Sequence, residues 1–271
     1  MSTSLRILIG VFLISCFSEF IANDKPLWVS DNRVIVPLIP YHSDTIASPA
    51  LLKPSQEHWL GTDASGRDVL ARLLYGLRHS LVFGLCVAVL SSIIGLLMGS
   101  IQGYYGRRID FFLQIFTQIW YSLPSFFILM MWSTHKSFLM LVLIMTFFTW
   151  PSIANIVRAE FMKAAALDYV KSARALGVPT PKIFWHHIFP YALIPVKSYF
   201  PFMVSNSITI MASLDFLGFG FEVGTATLGD LIAQGKQNLH APWLSVVGCL
   251  SLTMLLLLLI LIGEDLKKNS R

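Results

Sequence analysis

Six apolar runs divide the chain, and polar segments of unequal length separate them. The runs cover residues 5–22, 81–103, 111–132, 138–157, 192–214 and 243–263. Each is close to the roughly 20 residues with which an α-helix crosses the hydrocarbon of a bilayer, the first run being the shortest. The pattern therefore predicts an all-α polytopic membrane protein with six transmembrane helices.

A secretory signal peptide is the alternative explanation for the first run. Arg6 and the apolar stretch behind it are typical of such a leader. Glu19 and Phe20, however, fit a small-residue cleavage site poorly. The sequence therefore favours an uncleaved first transmembrane helix.

The composition agrees with a membrane protein, because 55% of the residues are hydrophobic and only 13% are charged, against about 25% charged residues in soluble domains. The net charge of +5 does not indicate nucleic-acid binding, since the basic residues gather at the ends of apolar runs. Loop 158–190 carries five lysines and arginines, whereas loop 215–242 carries only Lys236. Cytoplasmic loops hold the excess of basic residues, so we expect both termini in the cytoplasm.

The polar segments suggest a domain plan of four parts. They are a first transmembrane helix (1–22), a periplasmic loop (23–79), a membrane domain (80–265) and a cytoplasmic tail (266–271). Asp68 begins an amphipathic stretch near the end of the loop, with leucines on one face and Arg72 and Arg78 on the other. This pattern predicts a helix that lies at the membrane surface before the second span.

A basic segment between the fourth and fifth runs, residues 168–190, is built like a short capped helix. Asp168 can accept backbone N–H groups as the N-cap, and Gly177 suits the left-handed position after the last turn. Pro179 and Pro181 prevent the helix from continuing. Held between two membrane helices, this segment is a candidate docking site for a soluble partner. An ordinary cytoplasmic loop that happens to be helical is the alternative.

Small residues recur at every fourth position of the second run. They are Ser91, Gly95, Gly99 and Gly103. This spacing lets two helices approach closely in lipid, where packing drives their association. It predicts a packing face, either within the helix bundle or against a partner subunit.

Polar side chains inside other runs are candidates for the wall of a transport pathway, because polar groups at membrane depth usually face the bundle interior or a water-filled cavity. The candidates are Gln114, Gln118, Asn206 and Ser207. A packing role is the alternative for the two glutamines. Pro124, in the middle of the third run, predicts a kink.

The chain carries no clear motif for catalysis or cofactor binding. Residues 229–237, GDLIAQGKQ, differ from a phosphate-binding loop in glycine spacing and end on Gln237, where a serine or threonine is needed. His186 and His187 lack a third ligand at a suitable spacing. The three cysteines lie in apolar runs, as small hydrophobic residues do. We expect no catalytic residue, metal or cofactor.

The spacing of Gly177 and Pro190 resembles the EAA loop of bacterial ABC-importer permeases. In this chain Lys171–Ala173 (Lys-Ser-Ala) stands where that family has Glu-Ala-Ala, and the glycine and the proline follow at the family spacing. Phe189 replaces the leucine that precedes the proline in the family. The contact made by the family's glutamate is therefore not expected of Lys171.

Further segments are similar to the dipeptide and oligopeptide branch of these permeases, which includes microcin C-like proteins. The segments are HWLGTDASGRDVLARLLYGLRHSL, GYYGRRID, SLDFLGFG, ATLGDLI and QGKQNLHAPW, in this order between residues 58 and 263. The resemblance implies the type-1 ABC importer fold for residues 80–265, in the inner membrane of a bacterium.

The resemblance also implies a function. The chain would be a permease subunit of an ATP-driven importer and form half of the pathway for oligopeptides or peptide-like compounds. Its partners would be a second homologous permease, two ABC ATPase subunits and an extracytoplasmic peptide-binding protein. Residues 168–177 would form a coupling helix that docks on the ATPase. The residues implied in this coupling are Asp168, Tyr169, Lys171, Ser172, Ala173, Arg174, Gly177, His187 and Pro190.

Three alternatives remain open. A permease for nickel or another small solute belongs to the same superfamily. A secondary transporter or channel would need inverted repeats or intramembrane carboxylates, and only Glu19, near a span end, qualifies. A membrane enzyme would need convergent titratable residues within the spans, and the sequence has few.

Overall fold

Helices make up most of the chain in this computed structural model, which describes residues 3–26, 28–30, 33–46, 48–131, 137–222 and 224–269. The helices are α1 (Thr3–Cys16), α2 (Ser18–Ile21), α3 (Val69–Tyr105), α4 (Arg107–Ser122), α5 (Ser125–Met131), α6 (Phe138–Ala165), α7 (Asp168–Ala175), α8 (Thr180–Lys182), α9 (Phe189–Phe216), α10 (Leu228–Gln237) and α11 (Pro242–Asn269). A π-helix (Ile183–Ile188) joins α8 to α9. The predicted helical architecture is confirmed, with the addition of one antiparallel hairpin of β1 (Trp28–Ser30) and β2 (Arg33–Ile35).

Three of the described helices, α3, α6 and α11, are long and apolar enough to cross a membrane. The pair α4 and α5 counts as a fourth span if its 60° bend is taken as a break within one span. The bend lies at Pro124, where the sequence predicts a kink, because proline has no N–H for an uninterrupted helix. The other two predicted runs do not meet the same criteria, since α1 has only 14 residues and the 28-residue α9 is too polar.

The chain folds as two compact units. The first comprises Met1–Gly84, Ser133–Phe138 and Ser205–Leu261, and the second comprises Leu85–Trp132, Leu139–Val204 and Ile262–Arg271. The division falls inside α3, α9 and α11. Each unit is therefore assembled from segments that are distant in the sequence.

In the first unit, the N-terminal loop packs on the first turns of α3. Ala22 and Ile39 form a buried apolar cluster with Ala71, Tyr75 and Ala226. The Tyr75 hydroxyl donates to the Ala22 carbonyl at 3.1 Å. Although the loop has little secondary structure of its own, these contacts anchor it to the helix.

The amphipathic stretch after Asp68 is not the separate surface helix that the sequence predicts. It forms the first turns of α3, which runs without a break from Val69 to Tyr105. Asp68 caps this helix, because its Oδ1 accepts the backbone N–H of Ala71 at 2.8 Å. Arg72, expected on an outer polar face, is instead fully buried, since carboxylates and carbonyls surround its guanidinium.

In the second unit, the small-residue face of α3 lies directly against α6. A Cβ added at Gly95 or Gly103 would collide with α6 side chains, and one added at Gly99 would collide with the backbone of Ala154. At the start of this face the Ser91 hydroxyl donates to a carbonyl of α6 at 3.5 Å. The contact joins two helices of this chain, which agrees with a packing face within the helix bundle.

We predict that Gly99→Leu prevents α3 from packing against α6. The new side chain would meet backbone atoms that cannot rotate away, so the loss of stability should reach or exceed the roughly 1–3 kcal/mol that overpacking costs. Gly10→Leu is the matched control, because nothing lies within 4 Å of a Cβ at that position. Thermal unfolding of the purified protein in detergent measures the difference, and equal melting temperatures for the two variants would contradict the prediction.

Candidate functional site

The segment predicted to be a docking element forms α7, an eight-residue helix between α6 and α8. Leu167 occupies the N-cap position and Asp168 is the first helical residue. The Asp168 carboxylate accepts a hydrogen bond from Lys171 Nζ at 3.0 Å and, among the described residues, none from the backbone, so the predicted cap is wrong. The carboxylate still lies in the first turn, where the helix dipole favours negative charge.

The end of α7 is closed by a glycine in the left-handed conformation. Gly177 has a φ of +77°, which side-chain-bearing residues rarely adopt. Its N–H donates to the Arg174 carbonyl at 3.0 Å, and the N–H of Val178 donates to the Ala173 carbonyl at 3.1 Å. These two bonds form a Schellman motif, which confirms the predicted role of the glycine.

Most of α7 is open to its surroundings. Val170 is its only buried residue, and Leu176, directly after the helix, is 83% exposed. The exposed residues include Asp168, Tyr169, Lys171, Ser172, Arg174 and Gly177. The helix thus presents apolar and basic side chains together on a surface that a partner can reach.

The other two predicted coupling residues lie beyond α7. His187 is part of the π-helix, and Pro190 is in the first turn of α9. The Tyr169 hydroxyl donates to the His187 carbonyl at 3.0 Å, which links α7 to the π-helix. Helical backbone begins at Thr180, well before the predicted start of the fifth span, because Pro181 occupies an early position of α8 where proline is tolerated.

The four predicted pathway residues have different surroundings. The Gln114 amide donates to Asn155 Oδ1 on α6 at 3.4 Å, which agrees with the packing alternative. Gln118 and Asn206 are exposed. Ser207 is buried, and its hydroxyl has no hydrogen-bond partner within the described part of the chain. A role in a pathway stays a prediction for these residues.

A groove of about 670 Å³ lies in the second unit, among α6, α9 and α11. Aromatic and charged side chains border it, including Glu160, Lys163, Tyr191, Tyr199, Phe202 and Lys267. The Lys163 ammonium donates to the Glu160 carboxylate at 2.6 Å. This groove could not be predicted from the sequence, because its border depends on how three separate helices pack.

A buried polar network in the first unit is the other feature that sequence analysis missed. The guanidinium of Arg72 donates to Asp230 at 2.7 Å and lies 3.4 Å from Asp63. It also donates to the carbonyls of Gly224 and Thr225, each at 3.1 Å. One side chain of α3 therefore holds the N-terminal loop, the segment before α10 and α10 itself.

Neighbouring side chains complete the network. Arg67 donates to the Asp63 carboxylate at 3.0 Å. Gln234 on α10 donates to Asp230 at 2.7 Å, and its amide oxygen accepts the backbone N–H of Ala64 at 3.1 Å. Both carboxylates that face Arg72 thus have further partners, so the buried charges are compensated.

A second buried pair adjoins the start of α3. The His58 ring lies 2.8 Å from Asp68 on one side and 2.6 Å from the Ser48 hydroxyl on the other. His58, Asp63, Asp68 and Arg72 recur at intervals of four or five residues in a single stretch. This regular placement of polar and charged residues is the feature of the sequence that indicates the network.

The glycine-rich residues 229–237 belong to helix α10 and its packing surfaces. A Cβ at Gly229 would collide with the Ala212 backbone, and one at Gly235 would collide with Ser245. These glycines allow close helix contacts and do not form a phosphate loop. Within the described ranges, no cluster of three His, Cys, Asp or Glu residues could hold a metal ion.

A solved structure has a similar fold. The structure is similar to that of the MetNI methionine ABC transporter in inward-facing conformations, with a TM-score of 0.57, and the match covers 74% of this chain and 96% of the other. Because only 16% of the residues are identical, this similarity concerns the fold alone. The fold of this chain is therefore similar to that of a chain of an ABC transporter.

The family follows from the sequence. Residues 91–266 match the family described as binding-protein-dependent transport system inner membrane component. The match covers more than half of the chain, which therefore belongs to this family. The predicted resemblance is confirmed, and the chain is a membrane transport subunit and not an enzyme.

Individual relatives agree with this assignment. The inner membrane ABC transporter permease protein YejE of Escherichia coli is 39% identical over 97% of this chain and 91% of its own length. The peptidoglycan transport system permease protein YejE of Agrobacterium fabrum is 44% identical over 91% of this chain and 64% of its own length. The oligopeptide transport system permease protein OppC of Mycobacterium bovis is 32% identical over 85% of this chain and 81% of its own length.

We predict that Arg72→Met destabilises the protein by about 1–3 kcal/mol, because Asp230 loses its cationic partner and the Gly224 and Thr225 carbonyls lose a donor, while Arg67 still pairs with Asp63. Arg78→Met is the matched control on the same helix, since Arg78 pairs with Glu19 at an exposed position, where ion pairs contribute about 0–1 kcal/mol. Chemical or thermal unfolding of both purified variants measures the contrast. Equal stability of the Arg72→Met and Arg78→Met variants would show that the network does not hold the fold.

Proposed function

We propose that the chain forms half of the inner-membrane pathway of an ATP-driven importer for oligopeptides or peptide-like compounds. The observation that carries the proposal is its 39% identity, over 97% of the chain, to an inner membrane ABC transporter permease. Relatives at lower identity are named as oligopeptide and dipeptide permeases. Peptides or peptide-like compounds are therefore the substrate class that these relatives support, and one relative is named for peptidoglycan transport.

The proposed complex contains four kinds of subunit. A second homologous permease supplies the other half of the pathway, and two ABC ATPase subunits hydrolyse ATP. A periplasmic peptide-binding protein delivers the substrate, in agreement with a family defined by binding-protein dependence. The permease itself needs no cofactor in this arrangement.

The proposed topology has six spans, with both termini in the cytoplasm. In addition to α3, α6 and α11, the spans are α1, the bent pair of α4 and α5, and α9. At 1.5 Å per residue, α9 is about 42 Å long and can cross the bilayer despite its polar residues. Helix α1 is only about 21 Å long, and α2 extends the same apolar run toward residue 22. The domain limits at residues 22, 79 and 265 belong to this proposal.

Helix α7 is the proposed coupling helix. It is exposed, it is closed at its end by Gly177, and it lies between two helices proposed to span the membrane. The basic residues of loop 158–190 support a cytoplasmic location, which is the side where an ATPase binds nucleotide. Lys171 pairs with Asp168 inside the helix, so its proposed role is to shape the docking surface.

The proposed mechanism is alternating access. The binding protein places a peptide at the outer mouth while the ATPase subunits bind ATP. Their closure moves α7, and α6 and α9 then tilt as near-rigid bodies. After ATP hydrolysis the cavity opens toward the cytoplasm and releases the peptide.

The proposed function predicts both a partner and a substrate. Affinity purification of the chain from its native membrane should recover an ATPase and a second permease. A deletion strain should lose uptake of labelled peptides and regain it with the wild-type gene. Uptake of nickel is measured in parallel, and loss of nickel uptake with unchanged uptake of di-, tri- and longer peptides would support the small-solute alternative.

We predict that Gly177→Arg abolishes peptide uptake while leaving membrane insertion intact, because it places a large side chain on the docking surface. Gly218→Arg is the matched control. Both glycines have a left-handed φ, +77° and +82°, and nothing lies within 4 Å of a Cβ at either position, so the backbone strain is similar. Uptake per permease molecule in the membrane is the measurement. Full uptake by the Gly177→Arg variant would refute the assignment of α7 as the coupling helix.

A further inference from the structure

Helix α7 has few attachments to the rest of the protein. Val170 is its only buried residue. The ion pair between Lys171 and Asp168 stays within the helix. Among hydrogen bonds between described residues, the bond from the Tyr169 hydroxyl to the His187 carbonyl, at 3.0 Å, is the only side-chain bond that leaves α7. Tyr169 is therefore the main polar link between this helix and the body of the protein.

The acceptor of that bond lies in the π-helix. The ring of Tyr169 is also near the ring of His187, with 6.1 Å between centroids. A π-helix has a wider turn than an α-helix, is rare, and is frequently found at functional sites. It runs directly into α9, so a force on the His187 carbonyl acts on the first turn of that helix.

The π-helix is itself firmly held. The Phe184 ring packs on Phe161 of α6 at 5.3 Å and on Tyr104 of α3 at 5.1 Å, measured between centroids. The Tyr104 hydroxyl also donates to the Thr180 carbonyl at 3.4 Å. In contrast to α7, the π-helix is fixed to two long helices, so movement that reaches it is passed to them.

We propose that Tyr169 is a positioning residue that transmits movement from α7 to the π-helix and α9 through its hydroxyl group. The proposal rests on the role of α7 as the coupling helix. It assigns the Tyr169 hydroxyl a role inside the permease that is separate from binding of the ATPase. Tyr169 is 47% exposed in the isolated chain, so a docked partner would exclude water from the hydroxyl–carbonyl bond. A hydrogen bond is stronger in such a low-dielectric setting, and docking would thus tighten the link when it is needed.

The test is Tyr169→Phe, which removes one oxygen and keeps the ring. Tyr105→Phe is the matched control, because it removes the same oxygen from an exposed tyrosine that lies outside α7. The reconstituted complex of permease, ATPase and binding protein is assayed for basal ATP hydrolysis, for its stimulation by binding protein with peptide, and for peptide transported per ATP. We expect stimulation and transport per ATP to fall about fivefold in Tyr169→Phe, the equivalent of one hydrogen bond. Basal hydrolysis and the amount of co-purified ATPase should stay at the wild-type level, as should every property of Tyr105→Phe.

Two outcomes would overturn the proposal. If Tyr169→Phe transports as much peptide per ATP as the wild type, the hydroxyl transmits nothing. If the variant instead loses the ATPase during purification, Tyr169 belongs to the docking surface. All activities are measured per assembled complex, so a lower yield of the variant cannot imitate the effect. Val170→Ala is a second control, because it loosens the packing of α7 without removing the hydroxyl. It should lower the peptide transported per ATP less than Tyr169→Phe does. Failure of the wild-type chain to bind any ATPase would refute the proposed function itself and is a separate result.

Discussion

A buried guanidinium places the strongest constraint on the first unit. Burial of an unpaired charge is very costly, so Arg72 can be fully buried only if acceptors surround it. The acceptors come from the N-terminal loop, from the segment before α10 and from α10. These segments must therefore be in place together. This requirement explains how the N-terminal loop, whose described residues form one small hairpin, keeps a defined position on α3.

The second unit is held by a different force. Inside lipid the hydrophobic effect between helices is absent, and close packing takes its place. The glycines of α3 bring the backbone of α6 so close that a methyl group has no room. Close packing holds these two helices together, whereas buried ion pairs and hydrogen bonds hold the first unit together. Helix α7 depends on neither, because Val170 is its only buried residue, and few contacts oppose its displacement.

Local and periodic signals predicted much of this structure. The kink at Pro124 and the left-handed Gly177 follow from the backbone chemistry of single residues, and the glycine face follows from helical spacing. The burial of Arg72 could not be read in this way, because its partner Asp230 is 158 positions away. The groove and the π-helix likewise depend on packing between distant segments. The cap at Asp168 failed for a local reason, since the helix begins at that residue and a shift of one position removes the capping geometry.

A helix that transmits motion needs two opposed properties. It must be loosely bound to most of the protein, so that a partner can move it, and firmly bound to one element, so that the movement is not lost. The exposure of α7 provides the first property. The contact of Tyr169 with the π-helix, which aromatic rings fix to α3 and α6, provides the second. Had α7 been packed as tightly as the glycine face, displacement by a partner would have required breaking the core, and a coupling helix in that position would not work.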